Sequence, residues 1–134
     1  MLTFHVITLF PEAFTSYLKS SIIGRAIRDK KIAVKFYNPR DFAENPKRPR
    51  KAGSDGAGKW HRVDQRPYGG GPGMVLEAAP FLKAVKKALG SKKGVVYFFD
   101  RSGKQFTNTD ARRLAKKSRD IILIAGHYEG IDVR

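Results

Sequence analysis

Four short runs rich in β-branched and aromatic residues set the architecture: Leu2–Phe10 (LTFHVITLF), Ile32–Tyr37 (IAVKFY), Gly94–Phe99 (GVVYFF) and Asp120–Ala125 (DIILIA). Near-continuous apolar runs of this length read as strands buried on both faces. The segments between them have helical character. Pro11-Glu12 suits a helical first turn, and Ile22, Ile23, Ala26 and Ile27 recur at helical spacing opposite Arg25, Arg28 and Lys30. From Pro80, the spacing puts Phe81, Leu82, Val85, Ala88 and Leu89 on one helix face and Lys83, Lys86 and Lys87 on the other, with Gly90 as the stop. After a turn at Arg101–Lys104, Thr107 and Asp110 form a capping box, opening a helix that carries Arg112, Arg113, Lys116, Lys117 and Arg119. Strands alternating with helices predict an α/β fold, a mostly parallel sheet flanked by helices.

With 134 residues, the chain reads as one domain. Residues 39–73 break the pattern as a long, basic, Pro- and Gly-rich loop. Its first part, NPKRPRKAGSDGAGK, reads as disordered, and its later part, WHRVDQRPYGGGPGM, reads as an ordered loop. No apolar run reaches the ~18 residues of a membrane span. Met1–Phe10 lacks the basic start and small-residue cleavage site of a signal peptide. The absence of cysteine excludes a disulfide scaffold, a thiol nucleophile and any Cys-based zinc site. These features fit a cytoplasmic protein.

Lys and Arg number 27 against 12 Asp and Glu, a formal net charge of +15. A folded domain this basic points to a polyanionic partner, most often nucleic acid; a generically basic surface is the alternative.

In open α/β sheets, ligands bind at the carboxyl ends of strands. Two loops fall there, Asp100–Gly103 and Gly126–Gly130 (GHYEG). Glycine lets backbone groups approach a ligand, Tyr128 offers an aromatic face and Glu129 a carboxylate; equally, GHYEG reads as a plain strand-to-helix turn with Glu129 capping the next helix. RPYGGGPGM is a rarer string. It lacks the Gly-Lys-Ser/Thr of a phosphate loop and the spacing of a dinucleotide fingerprint. A flexible hinge is one reading; Arg66 as a phosphate clamp and Tyr68 as a stacking face favour another. Trp60, His61 and Arg62 interleave aromatic and basic character, as in single-strand binders. His5, inside a strand, reads as a packed histidine.

VDQRPYGGGPGM (Val63–Met74), VVYFFDRSGKQF (Val95–Phe106) and ILIAGHYEGIDVR (Ile122–Arg134), in order with ITLFPEAF (Ile7–Phe14) and NPRDF (Asn38–Phe42), resemble the bacterial tRNA (guanine-N1)-methyltransferase family of the SPOUT superfamily. The resemblance covers nearly the whole chain outside Lys47–Lys59. It implies S-adenosylmethionine-dependent methylation of N1 of the guanine 3′ to the tRNA anticodon, by a homodimer with its active site at the subunit interface. It places Phe98, Phe99, Asp100, Gly126, Tyr128 and Glu129 around the cofactor, with Pro72 and Gly73 approaching it. Asp64, Arg66, Pro67, Tyr68, Gly69 and Gly70 fall near the target tRNA, and Glu129 near a magnesium ion. Gln65 stands where the family usually has Asp, and Asp100-Arg101 where it usually has Ser-Pro.

The resemblance also implies that residues 1–134 are the N-terminal part of a SPOUT-type methyltransferase domain, truncated before the knot-threading segment. The general base and the helical C-terminal domain would then lie beyond Arg134, leaving this chain a weak cofactor binder with little activity. Two alternatives stand beside it: a non-catalytic basic RNA-binding module, and a SPOUT methyltransferase acting on ribosomal RNA.

Overall fold

A computed structural model of the chain describes residues 1–43, 62–132 and 134. The NPKRPRKAGSDGAGK stretch, Trp60 and His61 lie outside the described residues.

The four apolar runs form one parallel sheet. β1 (Leu2–Ile7) pairs with β2 (Ile32–Tyr37) on one side and with β6 (Asp120–Ile124) on the other; β5 (Val95–Phe98) adds to the far side of β6. A two-stranded antiparallel hairpin, β3 (Asp64–Gln65) with β4 (Val75–Leu76), stands apart from it. The register aligns Ile7 with both Tyr37 and Ile124, and Ile124 with Phe98, so all four strands end level. The loops that leave them share one end of the sheet.

β1 is central, and its second half, His5 to Ile7, is buried. Ile7 and Ile122 are fully buried, in a core with Leu9, Val63, Leu76, Phe81, Ala84 and Ala88. The polar exception in β1 is His5, buried but satisfied: its Nδ1 lies 3.1 Å from the Tyr37 hydroxyl and its Nε2 2.9 Å from Asp120 Oδ1. One imidazole thus links three adjacent strands.

Several expectations are corrected. The GVVYFF run is not a buried strand. β5 lies at the sheet edge, with Val96 at 45%, Phe98 at 41% and Phe99 at 58% exposure, because among the described residues a strand pairs with it on one side alone. The apolar segment after Pro11 is not one helix. Pro11–Phe14 forms a 3-10 turn, followed by α1 (Thr15–Lys19) and α2 (Ser21–Arg28), broken where Ser20 is extended and Ser21 takes φ +49°. Ile22 projects to solvent there. In α3 (Ala78–Leu89), Leu82 is exposed and Ala84 takes the inward position beside Phe81 and Ala88. A small side chain there lets the helix lie against β1 and β6. The 39–73 stretch is not wholly irregular: it holds a 3-10 turn at Pro39–Phe42 and the strand Asp64–Gln65.

The helix ends follow the sequence signals. Gly90, at φ +56°, donates its N–H to the Lys86 carbonyl and stops α3. α4 (Asn108–Lys117) opens on the Thr107–Asp110 capping box, in which each side chain engages the other residue's N–H.

Candidate cofactor and nucleic-acid site

The level strand ends bring two loops together. Phe98 at the end of β5 with Phe99, Asp100 and Arg101 after it, and Gly126–Gly130 after β6, line one cavity of about 420 Å³. Phe99 N–H donates to the Ile124 carbonyl, holding the first loop against the second. The Asp100 carboxylate accepts from the Ser102 N–H at 2.8 Å and from the Ser102 hydroxyl, folding the loop back on itself. Those two bonds, the hydroxyl's foremost, hold the Asp100 carboxyl below its ordinary pKa.

The second loop is anchored from behind. Ala125 N–H donates to the Ile7 carbonyl, and the His127 ring packs edge-on against Phe10, with centroids 5.1 Å apart. Tyr128 sits 4.4 Å from His127, ring to ring, and takes the left-handed φ of +55°. A non-glycine residue held there is uncommon and costs backbone energy. Here it turns an aromatic face to the cavity mouth.

The glycine-rich string caps the β3–β4 hairpin, which zips onto the chain after the second loop. Leu76 N–H donates to the Gly130 carbonyl and Asp132 N–H to the Leu76 carbonyl, both at 2.9 Å. Gln65 Nε2 donates to Asp132 Oδ2 at 3.3 Å. Met74 N–H donates to Glu129 Oε2 at 2.7 Å, and Glu129 N–H donates to the Met74 carbonyl. At the hairpin tip Tyr68 is 88% exposed, with the Arg134 guanidinium 4.7 Å from its ring centroid. Arg134 also grips Asp132 at 2.6 Å and lowers that carboxyl to about pKa 2 through side-chain and backbone hydrogen bonds.

Of the residues assigned to a cofactor, Phe98, Phe99, Asp100, Gly126, Tyr128 and Glu129 share the cavity wall. Gly73 reaches it by touching Glu129, and Pro72 precedes it in the same loop. Asp64, Arg66, Pro67, Tyr68, Gly69 and Gly70 lie in the hairpin, where Asp64 pairs with Arg62 at 3.1 Å. Sequence reasoning gave no role to His127, Met74, Asp132 or Arg134, and noted Arg101 only as a departure from the family pattern. His127, Asp132 and Arg134 belong to the GHYEGIDVR string itself; their roles come from pairing with residues distant in the sequence, which spacing does not encode.

The family model for "tRNA (Guanine-1)-methyltransferase TrmD" matches residues 2–134. A tRNA (guanine-N(1)-)-methyltransferase of Coxiella burnetii is 43% identical over 132 residues, 96% of this chain and 47% of that protein. Its counterpart in Caldanaerobacter subterraneus subsp. tengcongensis is 42% identical over 131 residues, 98% of this chain and 48% of that protein. A crystal structure of tRNA (m1G37) methyltransferase from Aquifex aeolicus matches with a TM-score of 0.78 and 30% identity, covering 98% of this chain and 53% of that one. The chain spans about half the length of the relatives it matches.

Proposed function

From the premise that this chain belongs to the tRNA (guanine-1)-methyltransferase family, we propose that it forms part of an enzyme that methylates N1 of the guanine 3′ to the tRNA anticodon, with S-adenosylmethionine as donor. The observation that carries this reading is the joint cavity of the two strand-end loops, with the glycine-rich hairpin fastened beside it.

The cavity fits an adenosine-bearing donor in size and chemistry. Phe98, Phe99 and Tyr128 present aromatic faces, and the Gly126–Gly130 backbone can read a base edge. S-adenosylmethionine supplies a methyl group on a sulfonium, ready for in-line displacement. What the protein contributes is mainly orientation. The exposed Tyr68 ring, with Arg66 in the same loop, suits an unstacked base and its phosphate. Guanine N1 carries a proton that a base must take. Asp100, Glu129 and Asp132 are the carboxylates nearest this site, and each already accepts hydrogen bonds from its own neighbours.

Among the described residues no three His, Asp or Glu side chains converge, so a magnesium ion here would take Glu129 as a lone protein carboxylate, already accepting from the Met74 N–H, and draw its other ligands from water and substrate. The family reading also implies a cytoplasmic homodimer, which sedimentation would test. Among the described residues no helix is long and apolar enough to cross a membrane.

The test uses the enzyme of which this chain forms part and measures methyl transfer from labelled S-adenosylmethionine to two tRNA transcripts, one with guanine 3′ to the anticodon and one with adenine there. Label appearing in the first alone supports the reading. Label in neither, or label in ribosomal RNA instead, would sink it.

A further inference from the structure

We propose that Glu129 is a positioning residue, whose carboxylate fastens the glycine-rich loop to the mouth of the strand-end cavity through Gly73 and Met74. The pairing runs both ways between segments 55 residues apart: Met74 N–H donates to Glu129 Oε2 at 2.7 Å, and Glu129 N–H donates to the Met74 carbonyl at 3.2 Å. The carboxylate also lies flat on the bare face of Gly73. A Cβ built at Gly73 would come within 2.2 Å of Glu129 Oε1, and Gly73 holds φ +91°, a region that favours glycine. Glu129 and Gly73 therefore fit as a pair.

Among the described residues nothing comparable holds the rest of the loop. Cβ atoms built at Gly69, Gly70 and Gly71 would meet nothing within 4 Å, and all three residues have positive φ. Gly70 N–H bonds within the loop to the Pro67 carbonyl, and Arg134 touches Tyr68 at the tip. At the base of the loop, the Glu129 side chain is the polar tie. Releasing it frees a glycine-rich segment with much conformational entropy to regain.

The tie needs an acceptor at Oε, not a negative charge. A glutamine at 129 keeps that acceptor; an alanine does not. A direct role for the charge, on a cation or on substrate, would be lost equally in both. The consequence for ligand binding rests on the S-adenosylmethionine reading above. If the loop spends a tenth of its time closed once untied, apparent affinity falls about tenfold.

The experiment compares E129Q, E129A, G73A and the E129A/G73A double variant with the parent, all made in the enzyme of which this chain forms part. It measures hydrogen exchange at the Met74 amide and S-adenosylmethionine affinity by calorimetry. We expect E129A and G73A each to lose Met74 protection and to bind about tenfold more weakly. The double variant should bind no more weakly than either single one, and E129Q should recover most of what E129A loses. E129Q binding as poorly as E129A, or Met74 protection surviving in E129A, overturns the proposal. A parent chain that binds no S-adenosylmethionine overturns the functional reading instead, while exchange at Met74 still decides the tie.

Discussion

His5 Nε2 lies 2.9 Å from Asp120 Oδ1, joining the middle of β1 to the start of β6, with both side chains nearly dry. Lys92 adds a second contact to the same oxygen at 3.4 Å. Together they hold the Asp120 carboxyl below its ordinary pKa, the His5 hydrogen bond contributing most. The folded state therefore binds this proton more weakly than the unfolded chain, where the value is about 3.9. The stabilisation is fully present above that value and is lost as pH falls through the lower folded one. Thermal midpoints measured from pH 6 down to pH 2 should drop more steeply in the parent than in D120N. H5A leaves Asp120 Oδ1 with Lys92 alone and takes the His5 partner from the Tyr37 hydroxyl, and should cost about 1–3 kcal/mol in urea unfolding at pH 7. A flat comparison in both measurements would mean that the cluster does not help hold the sheet together.

Tyr128 separates stability from binding. Its φ of +55° costs backbone energy that glycine does not incur, while its ring faces the cavity mouth. Y128G should match or exceed the parent's free energy of unfolding, by up to about 1 kcal/mol, and bind S-adenosylmethionine several-fold more weakly. A variant that loses both would show that the ring's packing on His127 outweighs the relief of strain.

The four strands of the main sheet were legible in the sequence because each is an apolar run, and α3 and α4 because Gly90 and the Thr107–Asp110 box mark their ends. Ile32–Tyr37 is a strand to the residue, and the Thr107–Asp110 box opens α4. Which strand lies at an edge was not legible. Val95–Phe98 is as apolar as β6, yet only pairing order decides which of the two is dry. Likewise, periodicity put Leu82 in the core because it counts apolar residues on a face, whereas the closeness of α3 to the sheet selects Ala84. The site divides the same way. The GHYEG and RPYGGGPGM strings mark where the chemistry gathers, but that Glu129 meets Gly73 and Met74 depends on a hairpin docking from 55 residues away.

Gly24 is buried in α2, facing α1. A Cβ there would sit 2.4 Å from the Lys19 carbonyl oxygen, which is backbone and cannot swing aside. G24A gains helix propensity of roughly 1 kcal/mol but must push α1 from α2, at about 1–3 kcal/mol. The clash should win, so chemical unfolding should show net destabilisation despite the better helix former. A stabilised G24A would mean that α1 yields freely.

The outward face of α3 carries Lys83, Lys86 and Lys87 beside Phe42, and the helix contains no acidic residue. Spacing of three and four residues puts the lysines on one side, about 6 Å of helix rise from first to last. Positive charge concentrated this way should contribute to tRNA affinity through phosphates without reading sequence. Replacing all three with Gln should weaken binding to matched and mismatched transcripts alike. It should also reduce the slope of log affinity against log salt, by about one for each phosphate interaction removed. These residues line neither the strand-end cavity nor the hairpin, so S-adenosylmethionine affinity should stay at the parent value. If the slope is unchanged while affinity falls, α3 acts through folding and not as a phosphate-facing surface.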